Sequence, residues 1–224
     1  GVIRSRVLRC WGASESGLAE LLSGRIDALD ETGQTTLAFQ ASGIEGLKVR
    51  ITAKCDDEAT AEANLDKEEA LIRPILGTVI FGVDDETMEV AVLKLLRAQG
   101  LTLAATETLT GGIMASRMTV ADPDLVTFRG SQVMAEPDPS SDSDLAARAT
   151  KLAEQARQSF GADVGLSAVA PAPTEGHAPG TVAMAASLKG TPLNETVILQ
   201  PDRARMRSYG VISVLDFLRK TLSG

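Results

Sequence analysis

Histidine, cysteine and aromatic side chains are nearly missing from this 224-residue chain. There is one histidine, His177, two cysteines, Cys10 and Cys55, and an aromatic content of 3%. A single histidine leaves no His-based metal site and no Ser-His-Asp triad away from residue 177. Two cysteines make neither a disulfide framework nor a zinc site. Both stand in strand-like sequence and read as reduced, buried small hydrophobes. No metal and no cofactor is expected. A basic surplus is missing too: the formal net charge is −8, and both halves share the acidic excess. Binding a phosphodiester backbone relies on such a surplus, so nucleic acid is not an expected partner. The longest strongly apolar runs, at 78–83 and 211–218, fall far short of the ~20 residues a membrane span needs. No basic, then apolar leader opens the chain. A cytoplasmic protein without a membrane partner is expected.

What is present is a globular composition, 44% hydrophobic and 23% charged, which excludes a mostly disordered chain, collagen or a coiled coil. The length allows one large domain or two small ones. Residues 2–11 read as a strand. Ser14 suits the N-cap of a helix to about Leu22, with Leu18, Leu21 and Leu22 on one face. Strands follow at 35–40 and 47–53, the second alternating Leu47, Val49 and Ile51 with Lys48, Arg50 and Thr52. Asp56, Asp57 and Glu58 crowd the start of a helix, where negative charge suits the dipole. Its apolar face is Ala61, Leu65, Ile72 and Leu76, and Pro74 is expected to end or kink it. Residues 78–83 are a further strand. The order β-α-β-β-α-β predicts a small α+β domain over residues 1–83.

Asp84-Asp85-Glu86 then reads as a fresh helix start, with Val90, Leu93 and Leu96 as its core face and Gly100 as its stop. Strands are predicted at 101–106, 126–134, 163–170, 181–188 and 195–200, the last two as a hairpin. Helices run from Gly112 to about Met118, from Leu145 to Phe160, and from about Arg203 to Leu222. Residues 135–144, rich in proline, serine and aspartate, read as an exposed loop. Residues 84–224 thus predict a three-layer α/β domain.

Three polar clusters could carry chemistry. Glu107-Thr108-Leu109-Thr110-Gly111-Gly112 gathers hydroxyls between a strand end and a helix start. Its glycines allow close approach to the backbone, and helix N–H groups there suit an anion such as phosphate. Read plainly, it is a threonine-rich cap on a tight turn. Asp202, Arg203 and Arg207 open the last helix, with the arginines on one face as a carboxylate or phosphate fork or as a solvated helix start. The loop at 171–179 holds Glu175 and His177, and a lone loop histidine reads as solvent-exposed. A formal GxxG, Gly43-Ile44-Glu45-Gly46, invites an RNA-binding reading. It lies between two strands, however, and carries a glutamate where a phosphate should sit.

An ordered series of residues now carries a resemblance. In the first half it runs Arg6-Val7-Leu8-Arg9, Trp11-Gly12, Glu15-Ser16, Leu76-Gly77 and Phe81-Gly82-Val83-Asp84-Asp85-Glu86-Thr87. In the second half it includes Glu107 to Gly112, Pro179-Gly180-Thr181-Val182 and Asp202-Arg203 with Arg207. The chain resembles the CinA (competence/damage-inducible) family over essentially its whole length. The resemblance implies a KH-like domain over 1–83 and, over 84–224, a C-terminal domain of the nicotinamide mononucleotide (NMN) amidohydrolase type. It also implies a preceding molybdopterin-binding-like domain, which this chain does not include, and a homodimer.

The amidase chemistry attributed to that family is a Ser/Lys arrangement, in which lysine takes the proton of an attacking serine. Its motifs carry over unevenly. Glu-Ser-Cys-Thr-Gly-Gly survives with Thr108 for serine. Gly-Ser-Ser-x-x-Phe becomes Pro123, Asp124, Leu125 and Phe128, so the presumed nucleophile position is Leu125. Tyr-Ser-Asn-x-x-Lys falls on 135–140, ending at Ser140, with no tyrosine, asparagine or lysine. The resemblance therefore implies a degenerate catalytic set (Thr108, Leu125, Ser140). It retains candidate ligand-binding residues Glu107, Thr108, Thr110, Gly111, Gly112, Asp202, Arg203 and Arg207 for an NMN-like nucleotide. A non-catalytic role in structure, regulation or nucleotide binding is expected. The alternatives are an altered amidohydrolase using Thr108, Asp124 or Glu107, and a nucleotide or RNA binding module.

Overall fold

The computed structural model describes residues 1–135 and 144–224. It divides into two compact units, Gly1–Met88 and Glu89–Gly224. The loop predicted at 135–144 and the position Ser140 fall almost wholly outside the described residues.

The first unit is a four-stranded antiparallel sheet, β1 (Val2–Cys10), β2 (Thr35–Ala41), β3 (Leu47–Cys55) and β4 (Ile80–Val83), in the order β2-β3-β1-β4. Three helices accompany it: α1 (Glu15–Leu21), α2 (Ser23–Asp30) and α3 (Glu58–Leu76). The period-2 pattern of β3 buries Leu47, Val49, Ile51 and Ala53 in a core with Leu8, Leu18, Leu65 and Ile72. Ser14 caps α1 through a 3.0 Å bond from the Gly17 N–H, and Asp57 caps α3 through Thr60 at 2.8 Å.

Three local expectations change. The helix predicted to stop near Leu22 breaks there and resumes as α2, which buries only Leu29 and so shows little apolar periodicity. Pro74 does not end α3. It sits in the last turn, where its missing N–H removes a single bond, and the helix reaches Leu76. The helix expected from Asp84 starts at Met88. Asp84 instead adopts φ +56 and accepts the Val7 N–H at 2.9 Å, while Glu86 accepts the Val83 N–H at 3.2 Å. The GxxG segment is a short 3₁₀ turn between β2 and β3. A Cβ on Gly46 would lie 2.2 Å from the Cys10 carbonyl, so this turn closes against the chain's own backbone.

The second unit contains α4 (Met88–Ala98), β5 (Leu103–Glu107), α5 (Ile113–Ala121), β6 (Phe128–Val133), α6 (Leu145–Phe160), β7 (Val164–Val169), β8 (Thr181–Leu188), β9 (Thr191–Ile198) and α7 (Arg203–Ser223). Its mixed sheet has the order β6-β5-β7-β8-β9, with β5 parallel to β6 and β7, and β8 and β9 antiparallel. From β5 the chain crosses first to β6 and then back past β5 to β7. Right-handed crossovers in opposite directions put α5 and α6 on opposite faces, which gives the three layers the sequence predicts. The central strands β5 and β7 are wholly buried, as strands covered on both faces must be. β9 begins four residues earlier than predicted because Pro192, which reads as a turn residue, sits harmlessly on an edge strand. The turn is Lys189-Gly190, both at positive φ, as a two-residue hairpin requires.

A hydrogen bond from Ser187 ties β8 to an ion pair within α6. Glu154 accepts from Arg157 at 2.6 and 2.9 Å, from Gln158 at 3.0 Å and from the Ser187 hydroxyl. The Arg157 guanidinium first, then the Ser187 hydroxyl, lowers its carboxyl from an ordinary 4.5 to about 2. A depressed carboxyl stabilises the fold fully above its unfolded value and loses that contribution as pH falls through the folded one. The stability of the second unit is therefore expected to drop between pH 4.5 and about 2. Ser187→Ala, with a less depressed carboxyl, should show a shallower drop in acid titrations of urea unfolding. Superimposable profiles would contradict this assignment.

Candidate functional site at the carboxyl ends of the parallel strands

The loop leaving β5 and the N-terminal turns of α5 and α7 meet at one end of the second unit's sheet, where parallel strands commonly present ligands. Glu107, the last residue of β5, is 1% exposed and points its carboxylate into the start of α5. Oε1 accepts the Thr110 hydroxyl at 2.7 Å, the Met114 N–H at 2.9 Å and the Gly112 N–H at 3.2 Å. Oε2 accepts the Ala115 N–H at 3.1 Å. The Ile113 N–H is taken by the Thr110 carbonyl at 3.0 Å. The sequence predicts an external anion at this helix start; the chain supplies its own carboxylate instead, and those first-turn amides are already used.

Thr108 follows, 7% exposed, with its hydroxyl 3.5 Å from the Ala168 carbonyl at the end of β7. Leu109 is buried against Gly210 of α7, where a Cβ would come within 3.3 Å of its side chain. Gly111 (φ +56) and Gly112 (φ +98) complete the turn. Arg207 reaches over from α7 and donates to the Leu109 carbonyl at 2.8 Å. A Cβ on Gly111 would lie 2.9 Å from that guanidinium, so glycine leaves the arginine its seat. Asp202 caps α7 by accepting the Arg205 N–H at 2.9 Å, and Arg203 is exposed one turn before Arg207. The structure thus gathers Glu107, Thr108, Thr110, Gly111, Gly112 and Arg207 at one place. Glu107 and Asp202 act there as helix caps.

Leu125 is not brought to this place. The register pairs Leu103 with Phe128 and Glu107 with Val133, so the segment before β6 lies at the other end of the strands from Thr108. Four or five residues of strand separate the two ends, roughly 15 Å. Leu125 stands at φ +53, 40% exposed, in a turn organised by Asp122. That buried carboxylate accepts the Phe128 and Thr127 N–H groups at 2.7 and 2.8 Å and pairs with Arg97 at 3.2 Å. Burial pushes its carboxyl up, but these bonds outweigh burial and hold it below the usual range. Within one chain, Leu125 and Thr108 do not belong to a single cleft.

The sequence reading overlooks Arg148. It lies among Leu145, Ala149 and Leu152 on the buried face of α6 and is 4% exposed. Its guanidinium forks onto Glu175 of the 171–179 loop at 2.9 and 3.2 Å. Burial pushes the Glu175 carboxyl up, while Arg148 and the Ala172 N–H hold it below the ordinary range. The pair fastens that loop beside the strand ends, and His177 is exposed on it. The signal was available: an arginine in step with the apolar positions of a helix is buried and needs a carboxylate. Among the described residues no group of three or more His, Cys, Asp or Glu could hold a metal ion, and no helix is long and apolar enough to cross a membrane.

Comparison with known proteins agrees with this architecture. Residues 5–82 match the family described as Damage-inducible protein CinA KH domain, and residues 144–222 match the CinA C-terminal domain. A CinA-like protein of Frankia casuarinae is 35% identical over all of this chain and 55% of its own length. A putative competence-damage inducible protein of Geobacillus kaustophilus is 32% identical over 96% of the chain and 56% of its own length. The chain thus spans a little over half the length of these relatives. A CinA-superfamily competence-damaged protein of known structure from Klebsiella pneumoniae shares the fold at a TM-score of 0.54 and 18% identity, over 61% of this chain and 96% of its own. This chain belongs to the CinA family, of which it carries the KH domain and the C-terminal domain.

Proposed function

We propose that the second unit is a non-catalytic form of an NMN-amidase-type domain, acting through ligand binding, regulation or assembly without turnover. The observation that carries this reading is the setting of Thr108. Among the described residues its hydroxyl has one hydrogen-bond partner, the Ala168 carbonyl at 3.5 Å. The charged neighbours, Glu107 and Arg207, hold α5 and the Leu109 carbonyl. No lysine occurs between Lys94 and Lys151, so the segment following β6 brings no ammonium to act as base. In this reading Arg203 and Arg207, in the first turns of α7, are the cations that would face the phosphate of an NMN-like nucleotide. A cytoplasmic homodimer is part of the same proposal, with no role for nucleic acid.

The test is ammonia release from NMN by the purified chain. The expected rate is that of the buffer blank, unchanged by Thr108→Ala, because losing both nucleophile and base removes nearly all rate in such dyads. Turnover above the blank that disappears with Thr108→Ala would establish the altered-hydrolase reading instead.

A further inference from the structure

We propose a second ligand site on the opposite flank of α7, a slot for a flat aromatic ring that bears an anionic group. Between Ile198–Gln200, at the end of β9, and the first turns of α7 lies a cavity of about 380 Å³. That is at the small end of the roughly 300–1,000 Å³ found for ligand pockets, room for one or two fused rings and a short polar arm. Ile198, Leu199 and Met206 give it apolar surface, and Tyr209 gives it an aromatic wall. The Arg205 guanidinium lies over the Tyr209 ring, 5.5 Å from its centroid, and makes no ion pair among the described residues. Ile198 is 64% exposed, so the slot opens to solvent.

At about 100° per residue, Arg205 and Tyr209 share one face of α7. Arg207 and Gly210 lie on another, against Leu109. The slot is therefore separate from the Thr108 end, and the proposal does not depend on the function proposed for that end. Its chemistry is two-part. Apolar walls with a ring favour a planar apolar body. A guanidinium held in place on an aromatic face, with its charge unspent, favours a carboxylate or phosphate. A bare anion would leave the cavity unfilled, and a neutral ring would leave the guanidinium unused. An aromatic carboxylate and a purine nucleoside monophosphate share both features.

Calorimetry on the full chain tests this with 1-naphthoate and AMP as ring anions, and with 2-naphthylmethanol and inorganic phosphate as half-ligands. At least one ring anion should bind with Kd near or below about 1 mM, and the half-ligands at least about tenfold more weakly. Which ring anion binds more tightly identifies the source class. Arg205→Gln and Tyr209→Leu should each weaken binding about tenfold. Tyr209→Phe, which keeps the ring, and Thr108→Ala, at the other site, should leave it within about twofold. Silence from both ring anions overturns the proposal. So does phosphate binding as tightly as AMP, or a loss of binding with Thr108→Ala in place of Arg205→Gln.

Discussion

Glu107→Leu is expected to destabilise the second unit by about 3–5 kcal/mol, the range for removing one partner of a buried, charge-assisted network. The substitution keeps an apolar side chain of similar bulk but leaves three amides at the head of α5 and the Thr110 hydroxyl without their acceptor. Glu107→Gln retains one oxygen and turns an NH₂ toward donors, so its expected cost is smaller, about 1–3 kcal/mol. The two units can be followed separately. The single tryptophan, Trp11, belongs to the first unit. Its fluorescence transition in urea should stay where it is, while far-UV circular dichroism reports an earlier transition from the second unit. Unchanged unfolding in Glu107→Leu would remove the capping role and return Glu107 to the list of candidate bases.

Gly165→Ala is expected to be as damaging. A Cβ there would lie 1.9 Å from the Ala153 carbonyl oxygen, 2.9 Å from its carbon and 3.0 Å from the Arg157 nitrogen. All three atoms are helix backbone, so no side chain can swing away, and α6 must lift off β7. Overpacking of a side-chain core costs about 1–3 kcal/mol; against backbone the expected loss is at the top of that range or above, read as a fall in the second unit's urea midpoint. Gly24→Ala is the contrast. It has nothing within 4 Å of its Cβ position and lies inside α2, so it should be neutral or stabilise by up to about 1 kcal/mol. A Gly165→Ala protein as stable as wild type would mean that the α6–β7 contact is looser than described.

Much of the fold is legible in the sequence because burial imposes periods. The alternation through β3 and the apolar face of α3 read directly. The elements that shift are those held by something other than apolar pattern. α2 buries one leucine, β9 carries a proline at a free edge, and Asp84 is diverted to an amide of β1. The site is less legible. Motif order groups Glu107, Thr108 and Arg207, which the structure brings together, since a strand end followed by Gly-Gly and a helix has a recognisable grammar. Counting back from Phe128 locates Leu125 along the chain, but linear distance is blind to which end of a strand a residue occupies. Nor does it foresee that a glutamate would reach forward across eight residues to cap a helix. Arg148 lies between these cases: its place is periodic, but its partner Glu175 becomes evident only in three dimensions.

The carboxylate at the head of α5 also decides where a visiting phosphate can go. A tethered competitor meets the helix amides at an effective concentration in the range of short covalent linkages, far above that of a dissolved metabolite, and a second negative charge beside it would be repelled. Turnover or not, the glycine turn is shut to phosphate by its own strand. On the function proposed above, a nucleotide's charge would have to be met across the gap, by the arginines that open the last helix.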